Sequence, residues 1–183
     1  MEVLRAMKAI RSRPCDISAE SLVDEYGASL YKFCRSLAYT KEDAEDLFQE
    51  TFLRVFEQLP KIRGSDNPQS FLFSASIFVW KSQKRKHARR KRLAPAEPLP
   101  EAVSAGGIGL EETLLAEEEI SVVRGLVDAL PEKLKIPIIL YYTNEMSVSD
   151  IALTLRLPAG TIKSRLFKAR KLIEKGLVAE YEK

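Results

Sequence analysis

The chain is predicted to be all-α, with two small helical domains joined by a flexible linker. Three observations predict this. Its 183 residues suit one ordinary domain or two small ones. Apolar residues recur at intervals of three and four in both halves. Between the halves, residues 94–119 carry seven Glu and no base, and Pro95, Pro98, Pro100, Gly106, Gly107 and Gly109 punctuate the stretch. An acidic, Pro-rich and Gly-rich segment between basic units reads as a tether. The expected boundaries are an N-terminal extension over 1–18, a first unit over 19–93, the linker over 94–112 and a second unit over 113–183.

The first unit should hold three helices. Leu22, Tyr26, Leu30, Phe33 and Leu37 lie on one stripe of the first. Ala44, Leu47, Phe48, Thr51, Phe52, Val55, Phe56 and Leu59 follow the same spacing in the second, with Thr40 as N-cap, Asp43 three residues on and acids in the first turn. Asn67 followed by Pro68 is a start signal for the third, expected over 68–90. This helix has two apolar stripes, one of Phe71, Leu72, Ala75 and Val79, the other of Phe73, Ile77 and Trp80. That is more apolar surface than a three-helix unit needs to bury.

In the second unit, Leu115, Val122, Leu126 and Leu130 begin a helix. Leu134, Ile138 and Tyr141 continue a face after Pro131, with Pro137 predicting a kink or a late helix start. Ser147 with Asp150 resembles a capping box, opening a short helix through Ile151, Ala152 and Leu155. A tight turn at Arg156 and Leu157 leads to Pro158 and a final helix whose buried stripe is Ile162, Leu166, Ala169 and Ile173. Two helices across so short a turn, the second basic on its exposed face, form a helix-turn-helix pattern.

Composition excludes several classes. No apolar run reaches the roughly 18 to 20 residues of a membrane-spanning helix, and Arg5, Lys8, Arg11 and Arg13 interrupt the first 14 residues before a signal-peptide core can form. A cytoplasmic location is expected. With two Cys and one His, the chain cannot build a disulfide framework or a four-ligand Cys and His zinc site, so no metal or cofactor is expected.

The net charge of +3 conceals blocks of opposite sign. Residues 42–57 carry six acids against Arg54 alone, residues 81–92 eight Lys or Arg and no acid, and residues 161–175 six bases against one acid. The acids Asp43, Asp46 and Glu50, with Glu42 and Glu45, share a helical side without the pocket that catalytic carboxylates need. They are either a solvated face or a protein-docking face. The run 81–92 is either solvated or phosphate-binding, and Phe73, Ile77, Phe78 and Trp80 beside it suit unstacked bases or serve only as core. His87 reads as a surface histidine. On the last helix Lys163, Ser164, Phe167 and Lys168, flanked by Arg165 and Arg170, match major-groove chemistry: cationic donors for guanine, a hydroxyl, and a ring for a thymine methyl.

These residues also carry a resemblance. The string from Asp43 to Phe52, followed by Arg54, Val55 and Phe56, resembles region 2 of extracytoplasmic-function sigma factors, of the sigma-70 family. Leu130-Pro131-Glu132, the segment from Ser147 to Ala152 and that from Gly160 to Arg170 resemble region 4. The resemblance implies a promoter-specificity subunit of bacterial RNA polymerase without catalytic chemistry of its own. It assigns Asp43, Asp46, Gln49 and Glu50 to docking on the polymerase β′ coiled coil. Binding and opening of the minus-10 element falls to Arg63, Ser65, Asn67, Phe78, Trp80, Lys81, Lys84 and Arg85. Reading of the minus-35 element falls to Thr161, Lys163, Ser164, Arg165, Phe167, Lys168 and Lys171. The implied partners are core polymerase, through β′ and β, and promoter DNA, with an anti-sigma factor as a further class. The linker would pass near the active-site and RNA-exit channels. Two positions depart from the family pattern. Phe78 stands where Asn is common, and Arg156 stands where Gly is usual, which predicts a left-handed backbone there. The competing expectations are a plain helix-turn-helix regulator with an N-terminal sensor or dimerisation domain, and a nucleic-acid-processing enzyme using the acidic cluster with His87.

Overall fold

The computed structural model describes residues 18–58, 67–93 and 114–182. The expected linker, residues 1–17 of the N-terminal extension, and Arg63 and Ser65 lie outside the described residues. Within them the chain forms seven helices: α1 (Ala19–Leu37), α2 (Lys41–Phe56), α3 (Pro68–Leu93), α4 (Leu114–Asp128), α5 (Glu132–Tyr142), α6 (Val148–Leu155) and α7 (Ala159–Tyr181). There is no strand among the described residues.

Each helix of the first unit starts where a side chain satisfies the free N–H groups of its first turn. At α1, Ser18 Oγ accepts from the Ser21 N–H, and Ser21 Oγ accepts from the Ser18 N–H, each at 3.0 Å. Thr40 Oγ1 accepts from the Asp43 N–H at 3.0 Å, and Asn67 Oδ1 from the Ser70 N–H at 2.8 Å. The inward stripes then meet. Leu22, Leu30, Phe33 and Leu37 of α1 pack with Ala44, Leu47, Phe52 and Val55 of α2 and with Leu72, Phe73, Ile77, Val79 and Trp80 of α3, all buried. Phe33 and Phe73 touch edge to face, with ring centroids 5.2 Å apart. Each such ring, once buried, contributes roughly 1.5–3 kcal/mol by removal from water. Polar groups inside are matched locally: the Thr51 hydroxyl donates to the Leu47 carbonyl at 2.7 Å. Cys34 Sγ lies 3.7 Å from Ser76 Oγ. Burial pushes the Cys34 thiol up to about 12, against a smaller lowering by Ser76.

The second unit is built around α5, in which the side chains from Leu134 to Leu140 are all buried. The late start that Pro137 allowed is not what the chain does: α5 begins right after Pro131 and runs through Pro137. Proline removes one hydrogen bond, the one to the carbonyl four residues back. That residue is Lys133, which is exposed, so water can satisfy the carbonyl. The ammonium of the buried Lys135 reaches the Asp128 carboxylate at 2.6 Å. Around α5 pack α6 and α7, and α4 lies on α7. The two approach so closely at Gly176 that a Cβ there would collide with the end of the Leu126 side chain.

α6 opens at Ser147, whose Oγ accepts from the Asp150 N–H at 3.1 Å. It closes at Arg156, with φ 53° and ψ 48°. The Arg156 N–H bonds the Leu153 carbonyl and the Leu157 N–H the Ala152 carbonyl. This is a Schellman closure, which usually uses glycine at the left-handed position. Pro158 then leads into α7, which buries Ile162, Leu166 and Ala169. Since a left-handed conformation costs a non-glycine residue roughly 1–2 kcal/mol, Arg156→Gly should stabilise the protein by about 1 kcal/mol net of its greater unfolded-state entropy. Thermal melts should show a rise of about 2–4 °C. A lower melting temperature would mean that the arginine side chain offsets the strain.

Candidate nucleic-acid interface

Three surfaces carry the residues singled out by sequence. The first is the outer face of α2. With Ala44, Leu47, Thr51 and Val55 turned inward, the 3.6-residue period leaves Asp43, Asp46, Gln49 and Glu50 exposed. Glu50 accepts a hydrogen bond from Gln83 Nε2 of α3 at 2.8 Å. At the helix start, the Glu42 carboxyl is held below its usual range, chiefly by its own backbone N–H and then by the Thr40 side chain. Among the described residues, no three His, Cys, Asp or Glu side chains are grouped to hold a metal ion.

The second surface is α3. Phe78 is 48% exposed, and the Arg54 guanidinium of α2 lies over its ring at 4.1 Å from the centroid. Lys81, Lys84 and Arg85 follow, all exposed, with His87 exposed beyond them. Trp80 is placed differently from the expectation that it faces nucleic acid. Its ring is buried and its indole N–H donates to the Leu37 carbonyl at 3.2 Å. The periodicity contained that outcome, because Trp80 is three residues beyond Ile77 and seven beyond Phe73, on the stripe that faces α1. Phe78 is off that stripe and so remains outside. Asn67 caps α3 and also donates to Asp150 Oδ1 of α6 at 2.9 Å.

The third surface is α7, held against α6 by the left-handed turn. Lys163, Ser164, Phe167, Lys168 and Lys171 are exposed, and Thr161 and Arg165 half-buried. The Ser164 hydroxyl donates to the Thr161 carbonyl at 2.9 Å, and the Lys171 ammonium lies 5.1 Å from the Phe167 ring centroid. Sequence reasoning missed Arg54, whose single positive charge in an acidic block was visible, but whose ring partner on another helix was not. It also missed Ser70 and Ser74 of α3, whose hydroxyls donate to the carbonyls of Asp150 and Thr154. Nothing in their spacing signals a partner 80 residues away.

The chain matches known families over both units: residues 22–90 match Sigma-70 region 2 and residues 121–173 match Sigma-70, region 4. It is 24% identical over 183 residues to the ECF RNA polymerase sigma factor SigW of Bacillus subtilis, covering 97% of each chain. It is 28% identical over 138 residues to the ECF RNA polymerase sigma-E factor of Escherichia coli K12, covering 72% of each. The fold is shared with the sigma factor RpoE of Bartonella quintana, solved in complex with the anti-sigma factor NepR. That match has a TM-score of 0.66 and 23% identity, over 86% of this chain and 94% of that one. CnrH, solved with the cytosolic domain of CnrY, matches with a TM-score of 0.63 and 19% identity, over 88% of each chain.

Burial separates the two candidate aromatics of α3. Trp80→Ala should cost about 3–5 kcal/mol, as removal of a core aromatic does. Phe78→Ala should cost about 1 kcal/mol or less, the scale of an exposed cation–π contact. Urea melts of the two variants check the difference, and equal losses would place Phe78 in the core as well.

Proposed function

We propose, for a chain that belongs to the sigma-70 family in its extracytoplasmic-function branch, that three separate surfaces carry the work of a sigma factor directing core RNA polymerase to promoters. The domains take the boundaries 19–93 for region 2, 94–112 for the linker and 113–183 for region 4. Asp43, Asp46, Gln49 and Glu50 dock on the polymerase, where fixed acids on a rigid helix steer and orient a basic partner. Phe78 under Arg54 offers a flat cationic platform for an unstacked base of the minus-10 element, and Lys81, Lys84 and Arg85 neutralise adjacent phosphates. Asn67, Arg63 and Ser65 are assigned to the same element. Lys163, Ser164, Phe167 and Lys168 read base edges of the minus-35 element, while Thr161, Arg165 and Lys171 position α7 on the backbone.

The observation that carries this reading is the α6–α7 helix-turn-helix with its unobstructed basic face, in a chain whose other half matches region 2. A regulator acting on duplex DNA alone would need no region 2. The chain supplies recognition and strand capture, and the polymerase supplies the chemistry. No helix among the described residues is long and apolar enough to cross a membrane, which is compatible with action in the cytoplasm. An anti-sigma factor is a further partner, by analogy with the RpoE complex. Run-off transcription with purified core polymerase on a promoter library, with and without the chain, tests the whole assignment. Absence of any chain-dependent transcript would overturn it.

Charge reversal at Asp46 and Glu50 together should weaken capture of core polymerase while shifting stability by less than about 1 kcal/mol, because exposed charges contribute little to folding. Pull-down beside a thermal melt measures both, and undiminished capture by the folded variant would remove the docking role.

The two DNA-contacting helices should respond differently. Lys168→Ala should cost roughly 1–3 kcal/mol at the preferred upstream sequence and relax the preference at one or two positions. Lys81→Ala with Arg85→Ala should weaken binding across all sequences and make its salt dependence shallower. Fluorescence anisotropy of the holoenzyme over a salt series distinguishes the two patterns.

A further inference from the structure

Arg54 is the single cation in the acidic stretch 42–57, and helix geometry offers it an obvious partner. Glu50 lies four residues before it, the favoured order for an ion pair along a helix. That pair is not made. The Glu50 carboxylate accepts from Gln83 of α3 instead, and none of the ion pairs among the described residues involves Arg54. Its guanidinium lies over the Phe78 ring at 4.1 Å from the centroid, and its side-chain N–H groups make no hydrogen bond among the described residues.

From this arrangement we propose that Arg54 reads a guanine in the opened strand of the minus-10 element, with Phe78 as its positioning residue. The proposal rests on the sigma-factor assignment of the preceding section and names the base that meets the platform. An arginine reads guanine by donating two parallel N–H bonds to O6 and N7, so it needs a fixed plane and free donors. Phe78 supplies the first, because a ring under the guanidinium restricts the side chain before any DNA arrives. The engagement of Glu50 by Gln83 preserves the second. In a single strand O6 and N7 are both accessible, since the base has left its stack and its pairing partner.

The surrounding charge favours a base over a phosphate at this point. Six acids share the stretch 42–57 with Arg54. A phosphate approaching Arg54 meets their repulsion, whereas the edge of a guanine presents acceptors without net charge. Phosphates have other cations to meet, since Lys81 and Arg85 are exposed on α3 one and two turns beyond Phe78. The shape of the site points the same way. Phe78 is 48% exposed, so part of its ring is open beside the guanidinium. A flat base laid against Arg54 covers that part, and a tetrahedral phosphate does not.

The test measures binding of short, fluorescein-labelled single strands to holoenzyme assembled from core polymerase and the full chain. The strands carry the minus-10 segment of a promoter found by run-off transcription, with each base replaced in turn. At one position guanine should bind roughly 5- to 150-fold tighter than adenine, cytosine or thymine, the range of one bidentate pair. Hypoxanthine, which keeps O6 and N7 but lacks the 2-amino group, should bind like guanine. 7-Deazaguanine, which lacks N7, should lose most of the preference. Arg54→Lys keeps the charge without the planar fork and should erase the preference, with affinity for the other bases changed less than about twofold. Phe78→Leu should weaken the preference and Phe78→Tyr should retain it, a pattern that loss of stability alone does not produce. Equal binding of guanine and 7-deazaguanine at every position would overturn the proposal on the unaltered protein, whether or not the variants fold. A uniform loss across bases in Arg54→Gln, with a shallower salt dependence, would make Arg54 a phosphate contact and overturn it as well. Run-off transcription keeps the two assignments apart: no chain-dependent transcript overturns the sigma-factor role, whereas transcription indifferent to guanine throughout the minus-10 element overturns only the role of Arg54.

Discussion

The burial of α3 is the constraint on which the rest of the structure depends. Its first half is apolar on two sides, and Leu72 and Val79 of one side are buried as fully as Phe73, Ile77 and Trp80 of the other. Phe73, Ile77 and Trp80 are taken up by α1 and α2, where the Trp80 N–H finds the Leu37 carbonyl. The edge of Asn67, Ser70 and Ser74 is taken up by α6 from the other unit. A single helix thereby completes one core and forms the seam to the next. Beyond that first half, Lys81 and residues 84–90 are exposed and form a basic track.

The two kinds of contact on α3 have different physical characters. Aromatic side chains removed from water hold α1, α2 and α3 together, and no solvent molecule replaces that contact. The contact of α3 with α6 adds hydroxyl and amide donors on carbonyl and carboxylate acceptors to a hydrophobic cluster that both units share. Such bonds exchange for bonds to water at small net cost.

Within each unit the exposed groups are positioned by what lies beneath them. The acids of α2 point outward because Ala44, Leu47 and Val55 point inward. The α7 face projects because Arg156 adopts a left-handed backbone and closes α6 with two hydrogen bonds, setting the direction of the following helix. Phe78 can remain half-exposed because the Arg54 guanidinium covers one face of its ring and leaves the rest open to a partner.

The sequence by itself determined the local features. Caps at Thr40, Asn67 and Ser147, the inward stripes of α1, α2 and α7, the left-handed demand at Arg156 and the exposure of the α2 and α7 faces all follow from 3.6-residue periodicity and backbone chemistry, which act over a few residues. The burial of Trp80 was present in the same periodicity, but a basic neighbourhood suggested an exposed ring. The choice between a helix running through Pro137 and one starting late was not legible, because the packing of the surrounding apolar side chains decides it and no local rule contains that packing. The Arg54–Phe78 stack and the α3–α6 seam were decided only by tertiary structure. A serine or an arginine has the same local signature whether its partner is water or a group on a distant helix, and only the folded chain brings that group within reach.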